Sequence, residues 1–232
     1  MSSDPAVGGD LADRLARVAA DVESAARAVG RRPEEITTIV VTKFHPAELV
    51  RDLYERGVRD VGENRHQEAQ VKAAELSDLE GLRWHFVGQL QSKKARQARR
   101  YAAAVHSLDR SSVVDALSSD DGTLLDGFVQ VNLTDDPSRG GVPVDDVESL
   151  VERVLSTPGL RLRGVMAVAP LDEPPRAAFA RLRRVSDRVR SLAPEAQDIS
   201  AGMSPDFAEA IAEGATHLRI GTAITGMRPG PR

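Results

Sequence analysis

Apolar and polar positions follow one another along this chain in two rhythms. Eight short runs rich in β-branched residues have the length and flanking residues of strands: Ile36–Thr42, Arg59–Gly62, Arg83–Gly88, Ala103–Leu108, Phe128–Leu133, Leu162–Ala169, Asp198–Met203 and Leu218–Ile224. Between most of them the apolar residues recur at helical spacing. Ahead of the first run, Leu11, Leu15, Val18, Val22 and Val29 line one face of an amphipathic helix over residues 10–29. Helix ends are legible too. Pro46 is expected as the first helical residue and Gly57 as the C-terminal cap of Pro46–Arg56. Ser92 is expected to cap Lys93–Arg100, and Asp109 the segment after it. Val144–Leu155, Pro175–Leu192 and Pro205–Glu213 complete the set, the last bracketed by Ser204-Pro205 and Gly214.

Strands that alternate with helices predict a parallel sheet, and eight of them predict an α/β fold closed as a single (β/α)8 TIM-type barrel with an additional N-terminal helix. An open doubly wound sheet is the alternative. Residues 10–226 form the expected barrel, after a disordered segment 1–9 and before a loose tail 227–232. Thr134–Pro143, rich in Asp, Gly and Pro, reads as a surface loop.

In such a barrel, chemistry gathers at the C-terminal ends of the strands. Lys43 follows the first run and shares side-chain parity with Ile39 and Val41, so its amine is expected to open onto the upper mouth of the barrel. Desolvation there would favour the neutral, nucleophilic amine that Schiff-base chemistry requires. Two small-residue segments could receive a phosphate: Gly202-Met203-Ser204 before a helix, and Gly221-Thr222 after the last strand. Ser204 offers a hydroxyl, and Gly221 and Thr222 their amides. Ser204 is equally suited to capping its own helix. Arg219, two residues before Gly221, points to the same side of its strand and could meet a ring nitrogen or an anion.

Composition narrows the classes. Among the 232 residues the net charge of −4 leaves no electrostatic footprint for nucleic acid or an anionic membrane, and cysteine is absent, which removes disulfides and thiolate chemistry. No secretory signal or membrane-length apolar run is present, so a cytoplasmic protein is expected. The five histidines, His45, His66, His85, His106 and His217, lack the paired spacing of a helical zinc site, and no metal is expected. Nearly all basic residues are arginine; the lysines are Lys43, Lys72, Lys93 and Lys94.

Eight segments in order from about residue 36 to 226 resemble the pyridoxal phosphate homeostasis family. They are Val40-Val41-Thr42-Lys43, Gly62-Glu63-Asn64, Trp84 to Gln91, His106-Ser107-Leu108-Asp109, Val129 to Asn132, Leu162 to Met166, Gly202-Met203-Ser204 and Arg219 to Ile224. The resemblance implies a barrel like the N-terminal domain of alanine racemase, with the aldehyde of pyridoxal 5′-phosphate (PLP) joined to Lys43. It implies phosphate contacts from Ser204, Gly221 and Thr222, and Arg219 near the pyridine nitrogen. Asn64, Ser200, His85 and Met166 match positions near the cofactor. Thr42, Ala201, Lys93 and Thr225 stand where the family commonly has serine, methionine, asparagine and phenylalanine.

The family implies cofactor supply in place of a reaction of its own, with PLP-dependent apo-enzymes as partners, and the protein is expected to be a monomer. Racemisation needs acid and base groups on both faces of the substrate carbon. The two tyrosines, Tyr54 and Tyr101, are not at strand tops, and the sequence ends soon after the eighth strand, so no second domain is expected to close over the cofactor. Arg219 can only donate, which favours an unprotonated ring nitrogen and a weaker electron sink. A weak PLP-dependent racemase, or a cofactor-free Schiff-base aldolase on a sugar phosphate, are the alternatives. Lys93 and Lys94, near the third strand top, are candidates for a secondary amine.

Overall fold

A computed structural model describes residues 10–227; segment 1–9 and residues 228–232 of the expected tail lie outside them. The chain opens with α1 (Leu11–Ala28), whose start is fixed by a reciprocal cap. The Asp13 amide donates to Asp10 Oδ1, and the Asp10 amide to Asp13 Oδ2. The barrel elements follow as β1 (Thr37–Val41), α2 (Ala47–Glu55), β2 (Asp60–Glu63), α3 (His66–Glu75), β3 (Arg83–Phe86), α4 (Ser92–Ala98), β4 (Ala102–Leu108) and α5 (Ser111–Ala116). The second half contains β5 (Leu125–Asn132), β6 (Val142–Pro143), α6 (Val147–Leu155), β7 (Leu160–Met166), α7 (Pro175–Leu192), β8 (Asp198–Ser200), α8 (Phe207–Ala212), β9 (His217–Ile220) and α9 (Thr222–Thr225).

Eight parallel strands close in the order β1-β2-β3-β4-β5-β7-β8-β9, with β9 paired back onto β1, so the barrel expected from the sequence is present and the open sheet is not. Closure removes both edges that an open sheet would expose. The tiny β6 pairs alongside the end of β5, through Val131 with Val142 and Asn132 with Pro143, and so ends the loop expected at Thr134–Pro143.

Between strands and helices the side chains of Val50, Leu53, Val113, Val151, Leu182 and Ile211 are wholly buried. That shell is where the helical spacing is used. α1 adds Val18, Val22 and Ala26 to it, and Arg14 Nε donates to the Ile224 carbonyl at 2.7 Å, tying the additional helix to the turn beyond β9.

Several element ends differ from the sequence reading, each for a local reason. The last strand stops at Ile220, because Gly221 (φ −106°, ψ −101°) turns the chain into α9; Thr222 to Ile224 are helical, not extended. Pro46 stays extended and caps α2 from outside it. Ser92 is the first residue of α4 and donates its hydroxyl to Ser112 instead of capping, while Asp109 pairs with Arg110. α8 begins only at Phe207, with Asp206 at its cap position.

Glycines separate conformational need from space. Gly57 ends α2 at φ +89° with open space where a Cβ would stand, whereas a Cβ on Gly164 of β7 would lie 1.8 Å from the Asp198 carbonyl oxygen of β8. Gly57→Ala is therefore expected to cost about 1 kcal/mol through its left-handed backbone alone. Gly164→Ala should cost about 3 kcal/mol or more, because two paired strands must move apart. Urea titration of both variants checks this; equal losses would mean that the β7–β8 spacing is not set by this glycine.

Candidate functional site

The end of β1 is pinned from beneath by α3. Thr42 is wholly buried, and its hydroxyl donates to Glu63 Oε1 at 2.7 Å. Lys72 of α3 donates its ammonium to the Thr42 carbonyl (2.9 Å) and to the same Glu63 oxygen (2.6 Å), and both charged groups are buried. Burial pushes the Glu63 carboxyl up, against the opposing pull of Lys72 and Thr42. One turn further along the chain, the Phe44 amide donates to Glu68 Oε2 at 3.1 Å, and Phe44 sits at φ +67°. An aromatic residue in that region carries backbone strain that its surroundings must hold. The Arg65 guanidinium lies 4.8 Å from the centre of the Phe44 ring.

This knot presents Lys43 at the upper mouth, with Nζ 5.8 Å from the Phe44 ring centre. The residue is exposed, so the apolar enclosure expected for its amine is not supplied by the chain itself.

β9 lies beside β1, and it brings Gly221 to the same mouth: a Cβ there would meet nothing nearer than Val41, at 3.8 Å. Gly221, Thr222 and Ala223 open α9, where first-turn amides have no acceptor within the helix. The Gly221 and Thr222 amides that the sequence reading offered to a phosphate thus stand at a helix start, and not in the extended strand expected there. On the neighbouring β8 loop, Gly202 is held at φ +93° against Ala210 and Phe207. Ser204 is half-buried, but the Met203 amide is already taken by Asp206 Oδ1 at 2.6 Å, so this segment offers an anion less than expected. Asn64 follows β2, and its buried side-chain oxygen Oδ1 has no hydrogen-bond partner.

Arg219 points into the lumen and is 5% exposed. NH1 donates to Ser200 Oγ at 2.7 Å and NH2 to the Ala167 carbonyl at 2.9 Å, which engages two of the five donors a guanidinium carries. Burial lowers its pKa to about 10, leaving it charged at neutral pH.

Lys43, Asn64, Ser204, Gly221 and Thr222 are thus borne on strand ends at one mouth, with Ser200 and Arg219 in the lumen. Met166 is level with Ser200, its partner in the β7–β8 pairing, whereas His85 stands elsewhere. Met166 is buried in a small apolar cluster with Ala104 and Phe128. His85 lines a polar cavity of about 380 Å³ at the opposite, lower mouth, together with Asp60, Arg83, Arg161, Arg163 and His217. Both its ring nitrogens are engaged, Nε2 with Asp60 at 2.8 Å and Nδ1 with His106 Nε2 at 2.9 Å. The sequence reading gave no role to Asp60, Glu68 or Lys72, placed Glu63 only at the end of its strand, and saw in His106 only a strand-end residue. A lysine in an arginine-rich chain was the one available sign of Lys72.

Residues 14–229 match the alanine racemase N-terminal domain family. A pyridoxal phosphate homeostasis protein of Corynebacterium glutamicum is 43% identical over 209 residues, covering 85% of this chain and 93% of that protein. Two structures of PipY from Synechococcus elongatus, one without PLP and one with PLP bound, superpose with TM-scores of 0.83 and 0.78 at 35% and 34% identity. Each match covers 94% of this chain and 100% of PipY. A closed (β/α)8 barrel is the architecture that PipY and this chain share. The chain belongs to the alanine racemase N-terminal domain family and, within it, to the pyridoxal phosphate homeostasis proteins.

Two expectations follow from the buried charges. Lys72→Met leaves Glu63 buried without its cation and should destabilise the fold by roughly 3 kcal/mol, of which the double variant Glu63→Gln/Lys72→Met recovers more than half. A double variant no more stable than Lys72→Met would show that the pair's charge is not what the knot needs. The second expectation concerns pH. Burial holds His217 down to about 4, and holds the wholly buried His106 well below its ordinary value. Burial also opposes ionisation of Asp60, yet hydrogen bonds from His85 and Arg83 outweigh it and bring the carboxyl to about 2. Below pH 6.5 the unfolded chain binds protons that these folded histidines refuse, so stability falls as pH drops toward 4. Asp60 extends the loss from about 4 to about 2. Urea midpoints recorded from pH 7.5 to 3.5 should decline throughout; a flat profile between 6.5 and 4.5 would contradict the buried neutral histidines.

Proposed function

We propose that this chain binds PLP at the upper mouth, as a Schiff base on Lys43, and serves cytoplasmic PLP homeostasis as a carrier more than as a catalyst. The observation that carries this reading is the pairing of an exposed amine, on a turn locked by Glu68 and Lys72, with a mouth built to receive an anion and a ring. Gly221 leaves room for close approach, and the first-turn amides of α9 have no acceptor within that helix. The unpartnered Asn64 oxygen is a polar atom that a bound group would satisfy.

In this reading the amides of Gly221 and Thr222 and the hydroxyls of Ser204 and Thr222 hold the phosphate. Arg219, backed by Ser200, directs a donor to the pyridine nitrogen, and Asn64 flanks the ring. The bound group supplies an aldehyde, to which the Lys43 nitrogen bonds with loss of water. His85, expected beside the cofactor, is assigned instead to the lumen beneath it, while Met166 stays with Ser200, its strand partner, near the ring. The protein acts as a monomer and hands PLP to apo-enzymes.

Two placements support carrying over catalysis. Arg219 stays charged and can only donate, which withholds the proton that makes the ring a strong electron sink. Both phenols are occupied away from the mouth: Tyr54 Oη donates to the Glu80 carbonyl at 2.9 Å, and Tyr101 Oη lies 3.3 Å from His66 Nδ1. Burial pushes the Tyr101 phenol up, far from the range of a working base.

Added PLP should give the purified protein a visible absorbance band. Lys43→Ala should lose that band while keeping the urea midpoint of the parent, since the side chain it removes is exposed. A band of undiminished height in Lys43→Ala would refute the assignment. Incubation of the loaded protein with L-alanine or D-alanine should leave each enantiomer unchanged; measurable racemisation would make it an enzyme.

A further inference from the structure

Five side chains from five strands cross the lumen in one unbroken hydrogen-bonded line. Asp60 (β2) meets His85 (β3) at 2.8 Å, His85 meets His106 (β4) at 2.9 Å, His106 Nδ1 meets Ser200 Oγ (β8) at 2.8 Å, and Arg219 NH1 (β9) donates to Ser200 Oγ at 2.7 Å. At the lower end Arg83 Nε also donates to Asp60 at 2.7 Å. We propose that Asp60, His85, His106 and Ser200 are positioning residues that hold Arg219 in its ring-facing place and couple the protonation of the lower mouth to the cofactor at the upper one. This rests on the reading that PLP binds against Arg219.

The ends fix the direction of every bond. Arginine has only donors and an ionised carboxylate only acceptors. Ser200, accepting from Arg219, therefore gives its own hydrogen to His106 Nδ1. His106 carries its hydrogen on Nε2 and gives it to His85 Nδ1, and His85 gives its Nε2 hydrogen to Asp60. With both rings neutral each hydrogen has an acceptor and none is left over. This arrangement assigns both tautomers. The His106 ring is held in plane by stacking on Phe128, 4.2 Å between centres and 13° apart.

One further proton breaks the sequence. A proton entering from the lower cavity meets His85 first, between the Asp60 carboxylate and a wholly buried His106 that burial keeps neutral. His85 Nδ1 then becomes a donor. His106 must accept through Nε2 and move its own hydrogen to Nδ1, where it faces Ser200. Ser200 now receives two donors, and its own hydrogen loses its acceptor in a dry lumen. The partner that steadies Arg219 is disturbed without any group at the upper mouth having titrated.

The proton can reach the line, because Asp60 and His85 line the lower cavity. The other charged groups there are paired: Glu35 with Arg31 and Arg32, Arg161 with Asp126, and Arg163 with Asp198, which also lies 3.9 Å from His217. Asp206 adds its field to Arg219 from the β8 loop. These groups set a fixed background, and His85 is the link that changes sign of hydrogen bonding.

The test compares PLP-loaded wild type with His106→Phe, His106→Gln and Asp60→Asn. The readouts are the PLP dissociation constant and the pH profile of the visible absorbance. Phenylalanine keeps the stacking on Phe128 but cuts the line; it should weaken PLP binding about tenfold and remove the acid transition from the absorbance profile. Glutamine can accept from Ser200 and donate to His85, and should restore affinity to within about twofold of wild type. Asp60→Asn, whose substitution lies at the far mouth, removes the fixed acceptor and should move the transition to lower pH. If His106→Phe does not fold, Asp60→Asn alone decides. Wild-type affinity and profile in His106→Phe, or an unmoved transition in Asp60→Asn, would overturn the coupling. Failure of wild type to bind PLP at all would instead overturn the function on which it rests.

Discussion

An arginine keeps its charge across the whole physiological range, so burying Arg219 obliges the lumen to provide acceptors. Ser200 and the Ala167 carbonyl supply them, and Ser200 then needs an acceptor of its own. That demand passes through His106 and His85 until it ends on a carboxylate that solvent can reach, Asp60. The barrel interior is therefore organised from one cation outward. In an apolar lumen Leu or Val would fill the same volume at less cost, so the polar line is maintained for what it does to Arg219.

The mouth is built on a second buried charge. Lys72 and Glu63 clamp the Thr42 carbonyl and hydroxyl, and Glu68 holds the Phe44 amide. Between these fixed points Lys43 has little backbone freedom although its side chain is exposed. A flexible amine on a rigid turn can reach an aldehyde presented at the mouth and can also release it, as a carrier requires. On the adjoining strand, Gly221 both ends β9 and starts α9, so one glycine turns the chain and bares the amides.

Strand parity and helical spacing made the barrel legible in the sequence, because they are local patterns and because closure of eight parallel strands leaves few topologies. That Lys43, Asn64, Ser204, Gly221 and Thr222 stand together was legible for the same reason: strand ends of one direction share a mouth. What was not legible depends on register between distant strands. His85 reads as a mouth residue from its place in β3, yet the pairing of Gly62 with His85 and of His85 with Ala104 sets it low in the lumen, facing Asp60. Nothing local marks Lys72 as buried; its place is set only when α3 docks against β2 and its ammonium reaches Glu63. The helical turn at Thr222 to Ile224 was hidden by β-branched residues that favour a strand, against which Gly221 prevails.

The central claim is that one amine, on the turn after β1, takes the cofactor. Borohydride reduction of the PLP-loaded protein, followed by digestion and mass spectrometry, reads this directly. The pyridoxyl mass is expected on the peptide containing Lys43. The same mass found chiefly on Lys72, Lys93 or Lys94, with Lys43 unmodified, would contradict it.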